Sequence, residues 1–198
     1  MGTGTVRFTH GNKSINRRRI MINERLRSAM NEQIKNEMES FYIYMSMAAY
    51  FHARNLDGMA HWMRCQAHEE MTHAMKFFDH IHDRGGKVVL LNLNQLKTDW
   101  DSIQEVWQDT YAHEQFITGK INDITTIARE EKDYTSEPML AWFSKEQLEE
   151  ESTACKVSEQ IKMIGDNQSG IILLDRELGA RIFPPGSALD PAAYSVAT

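Results

Sequence analysis

Four stretches of the sequence repeat apolar residues at alternating steps of three and four, the spacing of a helix that buries one face. No stretch alternates as a strand would. Capping residues and glycines give the helix ends, and a shorter pattern follows before Gly179 and the Pro184-Pro185 break. We predict an all-α fold with helices at about Asn23 to Arg54, Asp57 to Gly85-Gly86, Ser102 to Glu131, Ser136 to Gly165 and Ser169 to Leu178.

The lengths of the connections predict the topology. The short turns at 55–57 and 133–135 can join only antiparallel neighbours. A helix of about 28 residues is about 42 Å long. Segment 87–101, fully extended, spans roughly 50 Å, which is enough to travel the length of such a bundle. The third helix can therefore run parallel to the second. We predict a four-helix bundle with one long crossover between the second and third helices and a short fifth helix.

Length and charge narrow the class of protein. The 198 residues suit one domain at 21–182 with tails at 1–20 and 183–198. We expect the basic first tail to be disordered or to precede a true start near Met21, with a transit peptide as a further alternative. With 28 acidic and 22 basic residues, the net charge of -6 argues against nucleic acid as the main partner and suits cations. No run approaches the ~20 apolar residues of a membrane span. Cys65 and Cys155 have no paired spacing, so we expect a reducing, cytoplasmic location.

On each of the four long helices, the buried row of apolar residues, here called the seam, contains one glutamate: Glu37, Glu70, Glu114 or Glu150. An ionised carboxylate costs on the order of several kcal/mol to bury without a partner, and no seam has a lysine or arginine near its glutamate. One such glutamate could be protonated or paired from the rim. Four at similar depth favour a bound cation.

Charge and ligand type indicate which cation. Four carboxylates balance two divalent ions, and His73 stands three residues after Glu70, so both face the same side of the second helix. A satisfied core histidine is the alternative for His73 alone. Oxygen-rich ligation without thiolates suits iron or manganese, and does not resemble a structural zinc site.

Several short motifs resemble those of bacterial non-haem ferritins, over about Met21 to Leu178. They are Asn31-Glu32-Gln33 leading to Glu37 and Tyr44, Glu69-Glu70-Met71-Thr72-His73, His113-Glu114-Gln115 and Glu146-Gln147-Leu148-Glu149-Glu150. The ferritin-like bundle also has one long crossover. The resemblance implies a ferroxidase, an oxidoreductase that oxidises Fe(II) to Fe(III) with dioxygen or peroxide and deposits ferric oxyhydroxide inside a cage, here a homo-oligomer of twenty-four subunits.

The resemblance also implies roles for individual residues. Glu37, Glu70 and His73 would hold the first iron, and Glu70, Glu114 and Glu150 the second, with Gln147 a hydrogen-bonding or weak ligand and Tyr44 a nearby phenol. A third iron would map onto Glu69, Glu146 and Glu149 with help from Glu150. The alternative for the run Glu149-Glu150-Glu151 is a solvated face.

Individual positions distinguish this sequence from related families, and several other functions remain as alternatives. Thr153, three residues after Glu150, stands where bacterioferritins repeat a histidine. Met71 stands where they use a methionine for haem, but non-haem ferritins also carry it, so haem is not favoured. A di-iron enzyme acting on an organic substrate, an inactive cage subunit and a DNA-protecting cage with a basic tail are the rivals. We expect the remaining histidines to be surface residues: His52, His61, His68, His80, His82 and His113.

Overall fold

The computed structural model describes residues 21–190, and within that range it contains helices and no strands. The predicted tail at 1–20 and the last part of the C-terminal extension lie outside the described residues. No helix in the described range is long and apolar enough to cross a membrane. The five helices confirm the predicted all-α class: α1 Glu24–His52, α2 Asp57–Asp83, α3 Ile103–Glu130, α4 Glu137–Ile164 and α5 Gln168–Leu178.

Polar side chains fix the starts of three helices. Asn23 accepts a hydrogen bond from the Arg25 amide at 2.7 Å, which caps α1. Ser102 accepts from the Glu105 amide at 3.1 Å, and the Glu105 side chain accepts in return from the Asp101 amide at 2.7 Å. Asn167 caps α5 in the same way. Since each cap satisfies an otherwise unpaired amide, the chain turns into its helices at these residues.

Contacts between α1 and α3 fix the direction of the third helix. Asn23 bonds Glu131 at one end, and Ser40 contacts His113 in the middle, so α3 descends as α1 ascends. The tight turn after His52 makes α2 antiparallel to α1. It follows that α3 runs parallel to α2, as the predicted long crossover requires.

The crossover runs along the outside of α1 without regular structure. The Val89 amide donates to Asn31 at 2.8 Å, the Asn94 amide donates to Glu39 at 2.7 Å, and Ser46 donates to the Lys97 carbonyl at 3.1 Å. These contacts advance along α1 as the crossover advances. The crossover therefore covers α1 over much of its length.

The buried apolar residues form two clusters at opposite ends of the bundle. One contains Phe51, Met63 and Trp107, and the other contains Leu26, Phe77 and Leu140, among others. The seam glutamates occupy the layer between them, because on each helix the glutamate separates residues of the first cluster from residues of the second. The core thus encloses a polar layer.

The short helix α5 docks on the start of α2. Asp175 accepts a hydrogen bond from the Met59 amide at 2.8 Å, which caps α2 from outside its own chain segment. Gly58 allows the approach, since a Cβ there would lie 1.8 Å from the Asp175 carbonyl oxygen. The chain that leaves α5 is consequently directed back along α2.

A buried ion pair joins the end of α2 to the turn between α3 and α4. Arg84 donates to both carboxylate oxygens of Asp133, at 2.8 and 2.7 Å, and the two side chains are 9% and 7% exposed. The paired Arg84 guanidinium holds the pKa of Asp133 below its usual range.

We expect Asp133→Asn to lower the free energy of unfolding at pH 7 by about 3 kcal/mol, because it removes the negative charge from a buried bidentate ion pair. The lowered pKa means that the stabilisation is present above the unfolded pKa and is lost as pH falls through the folded one, so the difference from the parent should shrink in acid. Urea unfolding of metal-free protein at equal chain concentration measures both effects. Asp123→Asn, at an exposed position on α3, is the control and should behave as the parent. Equal losses at both positions would contradict a role for the pair.

Candidate metal centre

The structure brings the four seam glutamates and His73 together in the polar layer. Glu37 of α1, Glu70 and His73 of α2 and Glu114 of α3 are each 3% exposed or less, and Glu150 of α4 completes the layer. Ligand atoms of Glu37, Glu70 and His73 lie within 4.8 Å of one another, and so do those of Glu70, Glu114 and Glu150. The two groups share Glu70.

Neutral amides hold the carboxylates of α1 and α2. Gln33 donates to one oxygen of Glu37 at 2.8 Å. Gln66 donates to Glu70 at 3.0 Å and to Glu150 at 2.8 Å, so one amide spans two helices. Because these donors carry no charge, they orient the carboxylates without neutralising them.

Tyr44 and Gln147 complete the layer around Glu114. The Tyr44 hydroxyl donates to one carboxylate oxygen of Glu114, and Gln147 donates to the other at 3.1 Å. Burial raises the pKa of Tyr44 well above its usual value, with the charge of Glu114 adding to the effect, so the phenol remains a donor. Both residues therefore contact the polar layer through the carboxylate of Glu114.

Four buried atoms in this layer have no partner in hydrogen-bond geometry within residues 21–190: Glu37 Oε2, His73 Nδ1, Gln147 Oε1 and Glu150 Oε2. Of these, His73 Nδ1 lies 3.5 Å from a Glu70 carboxylate oxygen, at the distance of an ion pair. An unsatisfied buried polar atom ordinarily costs about 1–3 kcal/mol. Each of the four is a potential metal ligand atom, and three belong to the two groups that share Glu70. The donor set is rich in oxygen and contains one imidazole, so it fits iron.

The pKa values of the ligand side chains favour protonation over ionised carboxylates in this layer. Burial raises the pKa of Glu37 and that of Glu150 well above the usual value of a glutamate, and raises the pKa of Glu114 to about 8. Burial alone would lower the pKa of His73, but the adjacent Glu70 outweighs it and raises the pKa to about 10. His73 in turn lowers the pKa of Glu70, despite burial. A cation entering this layer must therefore displace protons.

The residues expected to hold a third iron lie beside this layer, around an adjoining cavity of about 160 Å³ that Gln66 and Glu150 of the layer also line. Glu69 and Glu146 are half-buried and Glu149 is exposed. None of the three belongs to either compact ligand group of the described chain. Arg181, which the sequence analysis did not single out, pairs with Glu69 at 2.6 Å.

The expectation that six histidines lie on the surface was correct only for His52 and His82. His61, His68, His80 and His113 are half-buried and hydrogen-bonded. Their polar partners come from distant parts of the chain, such as Ser40 for His113, so helical periodicity carried no signal for them.

Comparisons with known proteins agree with this architecture. Residues 27–164 match the family model of the ferritin-like domain. The chain is 39% identical to a bacterial non-heme ferritin of Bacteroides fragilis over 161 residues, covering 81% of this chain and all of that protein, and 37% identical to one of Staphylococcus epidermidis, covering 82% and 98%. An open pore ferritin from the hyperthermophilic archaeon Archaeoglobus fulgidus superposes with a TM-score of 0.80 at 38% identity, covering 81% of this chain and 99% of that one.

We expect metal-free Glu114→Gln protein to be at least as stable as the parent, with the advantage growing from about pH 5 to pH 8. The raised pKa means that the folded state holds a proton that the unfolded state releases above about pH 4.5, so the parent loses stability as pH rises through this window. Thermal unfolding in chelator at each pH measures this. Glu32→Gln, at an exposed position on α1, should show no pH-dependent gain. A marked loss of melting temperature in Glu114→Gln would instead favour a structural ion network.

Proposed function

The chain belongs to the ferritin family, and on that basis we propose that it stores and detoxifies iron by oxidising Fe²⁺ at the centre built around Glu70. The observation that carries the proposal is the convergence of unpartnered ligand atoms from α1, α2 and α4 on two compact groups with a shared carboxylate. Elsewhere in the described chain such atoms have no comparable arrangement. We propose that Glu37, Glu70 and His73 bind one iron and that Glu70, Glu114 and Glu150 bind the other.

In the proposed reaction iron is the substrate. Two Fe²⁺ ions each give up one electron, and dioxygen or peroxide accepts the pair, so that dioxygen would be reduced to the peroxide level. Fixed carboxylates favour the ferric product, since each iron gains a positive charge during the step. Tyr44 holds a proton at its hydroxyl beside Glu114, where it would keep that carboxylate oriented. Gln147 offers its unpartnered oxygen to the same space.

We further propose that the product leaves for a mineral core inside a hollow homo-oligomer, with twenty-four subunits as the family suggests. A single imidazole among carboxylates should hold ferric iron less permanently than a catalyst that retains its metals. The cytoplasmic location expected from the sequence stays a prediction, and so does the absence of haem and of nucleic acid as a partner.

We expect Glu70→Ala and His73→Ala to fold normally and to oxidise Fe²⁺ at least about 100-fold more slowly in the rapid phase, since each removes a ligand of the proposed centre. Stopped-flow absorbance after aerobic mixing measures the rate. Glu159→Ala, at an exposed position on α4, is the matched control and should keep the parent rate. Parent-like rates in both centre variants would refute the assignment.

We also expect anaerobic binding of Fe²⁺ to release more than one proton per chain near pH 7. The pKa of His73 is raised to about 10 and that of Glu114 to about 8, so both hold a proton near pH 7 before an ion enters. The pKa values of Glu37 and Glu150 are raised in the same direction. Titration in weakly buffered solution with a pH indicator measures the protons. Glu114→Gln should release fewer. Binding without proton release would contradict the protonation of the layer.

Size-exclusion chromatography combined with iron analysis after aerobic loading separates storage from rival functions. A storage cage elutes far above 22.9 kDa and takes up iron well beyond two ions per chain. A di-iron enzyme that acts on an organic substrate would do neither. Uptake that stops at two ions per chain would contradict the storage proposal.

A further inference from the structure

The segment after α5 folds back along α2. The His61 Nε2 atom donates to the Arg181 carbonyl at 2.6 Å, and the buried Phe183 packs edge-on against the His61 ring with centroids 4.7 Å apart. Farther along, Ser187 contacts His68 at 3.0 Å. Residues 181–187 are therefore held along α2. These contacts fix the position of the Arg181 backbone, from which its side chain extends.

The guanidinium of Arg181 is held on three sides. It donates to Glu69 at 2.6 Å and to the side-chain oxygen of Gln66 at 3.0 Å, and it lies over the Trp62 ring at 4.6 Å. Residues 62, 66 and 69 share one face of α2, because they are spaced by four and three. The charge thus meets a carboxylate, an amide and an aromatic face at once, which are the partners that suit a planar guanidinium.

Arg181 lines the same cavity as the residues predicted to hold a third iron. The cavity is lined by Glu69, Glu146, Glu149 and Glu150, together with Arg181 itself. A cation of the chain's own therefore already pairs with one carboxylate of this cavity, that of Glu69. Unlike the amides of the polar layer, this group carries a full positive charge.

Arg181 also acts on the main layer through Gln66. A guanidinium offers only donors, so the Gln66 side-chain oxygen must face it. The amide nitrogen of Gln66 then faces inward, where it donates to Glu70 and Glu150. Arg181 is in this way a positioning residue for the shared carboxylate.

We propose that the Arg181 guanidinium, a cation tethered to the chain, keeps a metal ion out of the cavity beside Glu69. Metal binding is thereby limited to the two ions of the polar layer. The inference rests on the proposed function for the identity of those two ions. A metal ion that entered the pocket would have to displace the guanidinium from Glu69 and meet its repulsion at short range. Removing the guanidinium leaves carboxylate oxygens that suit a divalent ion.

The test counts redox-inert Zn²⁺ bound per chain by equilibrium dialysis of the full-length protein. We expect Arg181→Gln to hold one more tight ion than the parent, and the double variant Arg181→Gln with Glu69→Gln to lose that ion. Arg176→Gln removes the same charge from an exposed position on α5 and should match the parent. Arg181→Lys keeps a positive charge and should also match the parent.

The outcomes separate this inference from the proposed function. A parent that binds fewer than two ions would sink the di-iron proposal, whereas a gain of one ion on removing Arg181 would still support the tethered cation. An unchanged count in Arg181→Gln, or a gain that survives Glu69→Gln, would overturn it. Circular dichroism checks the fold, and Arg181→Met, which keeps an aliphatic stem on Trp62, repeats the count should the glutamine variant unfold.

Discussion

The whole architecture depends on burying carboxylates in the middle of a helical bundle. Apolar clusters above and below the layer exclude water, and this exclusion raises the pKa of Glu37, Glu114 and Glu150. The helices could close more favourably over leucines at these positions. What the layer gives in return is a compact set of oxygen atoms that a cation can satisfy together.

The side chains around the layer keep it available to cations from outside. Gln33, Gln66 and Gln147 supply hydrogen bonds without charge, and Tyr44 does the same from α1. A lysine in any of these places would form a permanent ion pair and compete with metal. Arg181 differs from these neutral donors, because its positive charge pairs with Glu69 at the edge of the layer.

Helical periodicity was enough to predict the five helices, whereas the crossover length only allowed α3 to run parallel to α2. Glu37, Glu70, Glu114 and Glu150 could be singled out because a glutamate on an apolar seam breaks the expected pattern. Arg181 could not, since it follows the last helix in a stretch with no period and reaches Glu69 only through the return of the chain. The two hydrogen bonds of Gln66, to Glu70 and Glu150, could not be predicted either. A glutamine on a buried helix face gives no information about which neighbouring helix its side chain contacts. Periodicity reports which face is buried, whereas contacts across 112 residues depend on tertiary structure.

The shared position of Glu70 has a thermodynamic consequence for how the two places fill. The first ion to arrive would fix the Glu70 carboxylate and expel the proton held by its neighbour His73, and both costs are then already met when a second ion arrives. The two places would consequently not fill independently, because each ion changes the charge and orientation of the carboxylate that the other uses. This coupling matters chemically, because a solitary ferrous ion can pass only one electron to dioxygen and generate superoxide, while a filled pair delivers two electrons together and avoids the radical.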